Sequence, residues 1–150
     1  NIFWNGMGDI FKNVVTLIIA ADIFSQGLIA LGFINGLIEL TTHIGFGGIG
    51  IGIVMTVMIY LASMLMGSGN AAFFAFGPLI PKISAKLGME TASVLMPMQF
   101  AASMGRTVSP VAGVLIAASD VAKVSVMDVV KRNFIPVTLA LIVMLIFNFI

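Results

Sequence analysis

No cysteine occurs in the 150 residues, which removes disulfide frameworks and thiolate metal centres. Charge is scarce as well: 9% of residues are Asp, Glu, Lys or Arg, against roughly 25% in soluble domains. With a net charge of +1 and no basic stripe, nothing is present to neutralise a run of phosphates, so a nucleic-acid partner is excluded. The single histidine, His43, has no second His with which to build a metal site. No Ser/His/Asp, Cys/His or paired-carboxylate arrangement stands out, so the chain reads as a non-enzyme that needs no cofactor.

What remains is apolar. Hydrophobic residues make up 60% of the chain and the mean hydropathy is +1.18. Long apolar stretches lie at Val14–Ala21, Ile49–Met66, Ala71–Ile80 and Phe134–Ile150, and a helix needs ~20 such residues to cross a ~30 Å hydrocarbon core. One water-soluble core could not hide them all. The expected fold is therefore an all-α polytopic membrane protein. Opening at Asn1 and showing no signal peptide, the chain reads as the C-terminal part of a longer, transporter-sized protein, forming a single transmembrane region over 1–150.

Polar interruptions divide that region. Residues 12–44 are expected to form a span that ends near Phe33 plus an interfacial helix through Glu39, because Asp22, Ser25, Gln26 and Asn35 interrupt the apolar run and Asn35-Gly36 is a helix-stop signal. A single helix with a polar face is the competing reading. Residues 45–81 are apolar except at Gly67-Ser68-Gly69-Asn70. A continuous helix of that length would exceed ~50 Å, so a re-entrant hairpin with its tip at the tetrapeptide is expected. Irregular backbone at membrane depth is tolerated only where protein or a water-filled cavity surrounds it. Residues 91–119 are interrupted at Gly105-Arg106-Thr107-Val108-Ser109-Pro110, which predicts a broken helix. A charged connector over 120–133, with Ser125 capping a short helix, and a terminal span over 134–150, with Pro136 in its first turn, complete the chain. The connector holds more cations than the Lys82/Lys86 loop, which would place it in the cytoplasm.

Two polar breaks in neighbouring apolar segments are the pattern from which secondary transporters build substrate sites, because half-helix N-termini carry partial positive charge. Ser68, Gly69 and Asn70 at the first break, and Arg106, Thr107, Ser109 and Pro110 at the second, are the candidate substrate-binding residues. Ser, Asn and Thr supply hydroxyl and amide groups. Arg106 is the sharpest signal: a guanidinium in a membrane segment is costly and its planar fork matches a carboxylate. A structural Arg paired with an acid elsewhere is the bland alternative, and breaks of this kind also occur as packing kinks. Asp22 is the candidate coupling residue for a proton or cation. Gly45-Phe46-Gly47-Gly48-Ile49-Gly50 matches a dinucleotide-binding pattern formally, but no strand precedes it and no acid follows at the required spacing. These glycines instead suit a hairpin approach and close helix packing, with Gly48 and Gly52 as a small-xxx-small pair. The eleven methionines read as gap-fillers.

Gly67-Ser68-Gly69-Asn70-Ala71-Ala72, Phe76-Gly77-Pro78-Leu79-Ile80-Pro81 and Gln99-Phe100-Ala101-Ala102-Ser103-Met104-Gly105-Arg106-Thr107-Val108-Ser109-Pro110 together carry a resemblance. The chain resembles the C-terminal half of the DcuC-type anaerobic C4-dicarboxylate carriers of the ion transporter superfamily. The resemblance implies one half of an inverted-repeat transporter, with Ser68 and Asn70 at the hairpin tip and Thr107, Ser109 and Pro110 in the broken-helix loop. It also implies alternating access by an elevator or rocking motion, a homodimer, the N-terminal half of the transporter as an intramolecular partner, and a bacterial inner membrane. Gly69 between Ser68 and Asn70, and Ala71 where a threonine is usual, depart from the tip that helps hold sodium in sodium-coupled members. Exchange or proton coupling is expected instead. The function expected is secondary transport of succinate, fumarate or malate. Alternatives are a carrier of another organic anion or an amino acid, or a membrane channel or accessory subunit.

Overall fold

The computed structural model describes residues 2–43 and 47–149, and all of the regular structure among them is helical. Helix α1 (Ile2–Ala30) is followed by α2 (Phe33–His43), and the portions Val15–Ala30 and Phe33–Leu40 are bent by 62°. From sequence the span is expected to end near Phe33 and to continue as an interfacial helix through Glu39. The chain bends at Leu31-Gly32, where Gly32 adopts φ +76°, a left-handed conformation open to glycine at little cost. The Gly36 amide bonds back to the Gly32 carbonyl at 3.0 Å, so α2 restarts at once and absorbs Asn35-Gly36 into its first turn. The expected glycine-rich approach to the hairpin lies partly outside the described residues, at Gly45 and Phe46.

Helix α3 (Gly47–Met66) has 20 residues, about 30 Å at 1.5 Å per residue. The chain then reverses. Ala62 and Met66, near the end of α3, line one apolar cleft with Ala75 and Phe76, while at the start of α3 Gly48 faces Leu87 and Met89. Helix α4 (Gly69–Phe76), a 3-10 turn (Gly77–Leu79) and α5 (Ile80–Leu87) are thus the return arm of a helical hairpin. The arm continues six residues past Pro81, where the hairpin was expected to end. Pro78 and Pro81 each occupy the opening positions of a helical turn, where a missing N–H costs nothing. Gly88, at φ +65°, ends α5 with its amide on the Ser84 carbonyl.

Helix α6 (Thr91–Thr107) packs into the hairpin, and α7 (Gly113–Ala122) follows the second break. The main core joins Ile51, Met55 and Ile59 of α3 to Leu79, Ile80 and Ile83 of the return arm and Val94 and Met98 of α6. Lipid tails are as apolar as these side chains, so association inside a bilayer rests on close packing more than on exclusion of water. The glycines supply that closeness. Gly48 and Gly52 receive the side chains of Met89 and Phe149, whereas Gly69 and Gly105 admit backbone.

From Val126 onward the expected connector and terminal span are one element. Only Lys123–Ser125 separate α7 from α8 (Val126–Phe149). The Ser125 carbonyl accepts from the Asp128 and Val129 amides at 3.1 and 3.3 Å, so the helix starts where a short connector helix was expected and does not stop at Asn133. Pro136 therefore lies inside α8 rather than in its first turn. Only Leu141 of α8 is buried, and Ile135, Leu139, Val143 and Phe147 are exposed, a surface matched to lipid or to further protein. Helices α3 and α8 are each long and apolar enough to cross a membrane, and the bent α1–α2 pair adds a third candidate.

Candidate functional site

The two breaks meet. Gly67, at φ +68°, leaves room for nothing larger than hydrogen: a Cβ there would lie 2.8 Å from the Val111 carbonyl oxygen and 3.0 Å from the Ala112 nitrogen. A Cβ on Gly69 would lie 2.7 Å from the Ala102 carbonyl oxygen, and one on Gly105 would run into the Tyr60 carbonyl. The tip of the hairpin is thereby seated against both α6 and the loop that follows it. Polar contacts hold the arrangement: Ser63 Oγ donates to the Ala102 carbonyl, and the Tyr60 and Thr138 hydroxyls are 3.1 Å apart, tying α3 to α8.

Ser68 is extended (φ −138°, ψ 111°) and caps α4, its Oγ accepting from the Ala71 amide at 3.2 Å. Capping explains the serine locally and takes up one lone pair of its hydroxyl. Gly69 is buried in the first turn of α4, and Asn70 beside it is exposed; its carboxamide makes no hydrogen bond among the described residues.

At the second break the residues divide. Arg106 and Thr107, both exposed in the last turn of α6, line a cleft of about 270 Å³ with Ala112, Val114, Leu115 and Asn133. Thr107 Oγ1 donates to the Met104 carbonyl at 2.7 Å, leaving its acceptor sites open. The Arg106 guanidinium has no ion-pair partner among the described residues. Ser109 is fully buried and its Oγ accepts from the Val111 amide at 3.3 Å, so it shapes the loop from within. Pro110 is exposed on the outside of the same turn. Asp22 stands on an exposed side of α1, next to the buried Ala21.

Two features of this cleft have no counterpart among the residues picked out from sequence. The first is the N-terminus of α7. Its N-cap, Ala112, has no side chain to accept a hydrogen bond, and the first amide to bond back is that of Ile116, to Ala112 at 3.0 Å. The amides of Gly113, Val114 and Leu115 precede that bond, which makes this end of the helix electropositive. The second is Asn133, an amide on α8 that lines the same cleft as Arg106. An asparagine at the edge of an apolar run was the available signal, and it read as connector.

A helical hairpin seated by its glycine tip on the break between α6 and α7, in a chain with helices long and apolar enough to cross a membrane, defines a multi-pass membrane protein. The chain belongs to the C4-dicarboxylate anaerobic carrier family, DcuC, whose family model matches residues 1–150. It is 43% identical over 143 residues to a Vibrio cholerae protein named "Probable anaerobic C4-dicarboxylate transporter DcuC", covering 95% of this chain and 31% of that protein. It is 41% identical over 145 residues to the anaerobic C4-dicarboxylate transporter DcuC of Escherichia coli K12, covering 97% of this chain and 32% of that protein. The chain thus spans about a third of the length of these curated relatives. No solved structure matches it significantly.

Proposed function

We propose that this chain forms one substrate-binding half of a secondary carrier of C4-dicarboxylates such as succinate, fumarate or malate, working by alternating access in a bacterial inner membrane. The observation that carries the proposal is the cleft beside the second break, where Arg106 and the uncapped N-terminus of α7 converge. A guanidinium fork and helix-terminal amides are complementary to a carboxylate. The names of the relatives point to the same cargo. In this reading the hairpin is re-entrant and the remainder of the protein supplies an inverted second repeat. Helix α3 is about as long as the hydrocarbon core is thick. A tip at membrane depth therefore requires the opposite end of the hairpin, with Lys82 and Lys86, to stand outside the hydrocarbon core. The largely unpacked α8 then meets lipid, the rest of the chain or a second protomer, and the working unit is a homodimer.

Counterflow of labelled succinate by the full-length protein in liposomes, with and without sodium, tests the function. Exchange against no net gradient is expected, and independent of sodium, since Gly69 separates Ser68 from Asn70 and Ala71 stands where a sodium-holding tip usually has threonine. A channel shows no counterflow, so its absence would overturn the carrier reading. Asn70→Ala removes an exposed carboxamide beside the tip, and uptake is expected to be lost while the protein remains inserted; near-normal uptake would take Asn70 out of the site. If Asp22 carries a coupling proton, Asp22→Asn makes the initial rate of uptake independent of external pH, whereas an unchanged pH profile would exclude it.

A further inference from the structure

A second cleft, far from the breaks, lies where the α1–α2 bend meets the return arm of the hairpin. It has a volume of about 340 Å³ and is lined by Ile29, Gly32, Ile34 and Asn35 on one side and by Lys82 and Lys86 on the other. No Asp or Glu is among its described lining residues. Lys86 Nζ donates to Asn35 Oδ1 at 2.7 Å. That bond fixes the carboxamide with both Nδ2 hydrogens free and leaves two of the three ammonium hydrogens unused. The cleft also reaches the first turn of α2, where the amides of Phe33, Ile34 and Asn35 precede the first backward bond, from Gly36 to Gly32. Two ammonium groups, the Asn35 Nδ2 group and a helix N-terminus thus supply donors to this cleft. Beside them Ile29 and Ile34 form an apolar wall.

We propose that this cleft binds the phosphate of an anionic phospholipid, holding it at the joint between the α1–α2 bend and the hairpin. A free phosphate ion would use the donors alone. The apolar wall, continuous with helices of membrane character, is what a glycerol backbone and the start of an acyl chain require, and basic pockets between membrane helices take anionic headgroups for this reason. Lys86 and Asn35 already bridge the two elements, so a headgroup seated on both strengthens that bridge.

The test uses the full-length protein released from vesicles of phosphatidylethanolamine and phosphatidylglycerol, with bound lipid counted by native mass spectrometry. Phosphatidylglycerol is expected to be retained selectively. Its apparent affinity should fall about thirtyfold in the double variant Lys82→Gln/Lys86→Gln, while Lys82→Arg/Lys86→Arg keeps it, as does Lys131→Gln, which changes a cation of α8 that does not line this cleft. Millimolar inorganic phosphate should not displace it. Equal retention by the double Gln variant would overturn the site, and displacement by inorganic phosphate without lipid selectivity would overturn the lipid assignment. Neither result bears on succinate counterflow.

Discussion

Gly67→Val is expected to abolish succinate exchange by the full-length protein while leaving it inserted in the membrane. Two separate costs fall on this substitution. The backbone at Gly67 has φ +68°, and holding a β-branched residue there costs about 1–3 kcal/mol. The added side chain also meets the carbonyl of Val111, 2.8 Å from the Cβ position. Backbone cannot swing aside as the end of a side chain can, so a further ~1–3 kcal/mol of overpacking is expected. Together these amount to about 2–6 kcal/mol, so the hairpin tip is expected to move away from Val111-Ala112. Gly67→Ala should show the same effect in smaller measure. Gly36→Ala is the control: nothing lies within 4 Å of its Cβ position, and alanine inside a helix is favoured by up to ~1 kcal/mol. An exchange rate for Gly67→Val equal to that of the unaltered protein would show that the meeting of the two breaks is not needed for transport.

Arg106→Gln is expected to raise the KM for succinate by roughly ten- to a hundredfold, the range for losing a hydrogen bond to a charged group. Glutamine keeps much of the length and some donors but loses the charge. Arg106→Lys separates charge from geometry: it retains the cation and loses the planar fork, so an intermediate KM is expected. The helix-terminal amides of α7 remain in both variants, which is why residual binding should survive. An unchanged KM in Arg106→Gln would remove this residue from the site and assign it a structural role.

The positions of the two breaks were legible because their causes are local. Gly67 must adopt a left-handed φ, Ser68 caps the helix that follows it, and Pro110 cannot continue a helix; each of these is a property of one residue and its immediate neighbours. The same kind of local signal misleads where several are present. Asn35-Gly36 reads as a stop, yet Gly32 three residues earlier takes the bend and leaves Asn35-Gly36 in helix. Pro81 reads as the end of the return arm and Pro136 as the start of a span, but proline in an opening turn permits continuation and proline inside α8 interrupts only one backbone bond. A residue's preference limits the choices, and packing selects among them.

Composition and the spacing of polar residues determine by themselves that this is an all-helical membrane protein broken at Gly67–Asn70 and at Gly105–Pro110, because backbone buried in lipid must satisfy its own hydrogen bonds, and helices do so within apolar runs of this length. They also determine which residue types stand at the interruptions. Tertiary structure alone decides that Gly67 touches Val111 and Ala112, more than 40 residues further along the chain, and that Ser109 is turned inward while Arg106 faces a cleft. It alone adds Asn133 and the bare N-terminus of α7 to that cleft. The physical reason is range: backbone conformation is set by forces acting over a few bonds, whereas a site is assembled by the shape of whole helices packed against one another.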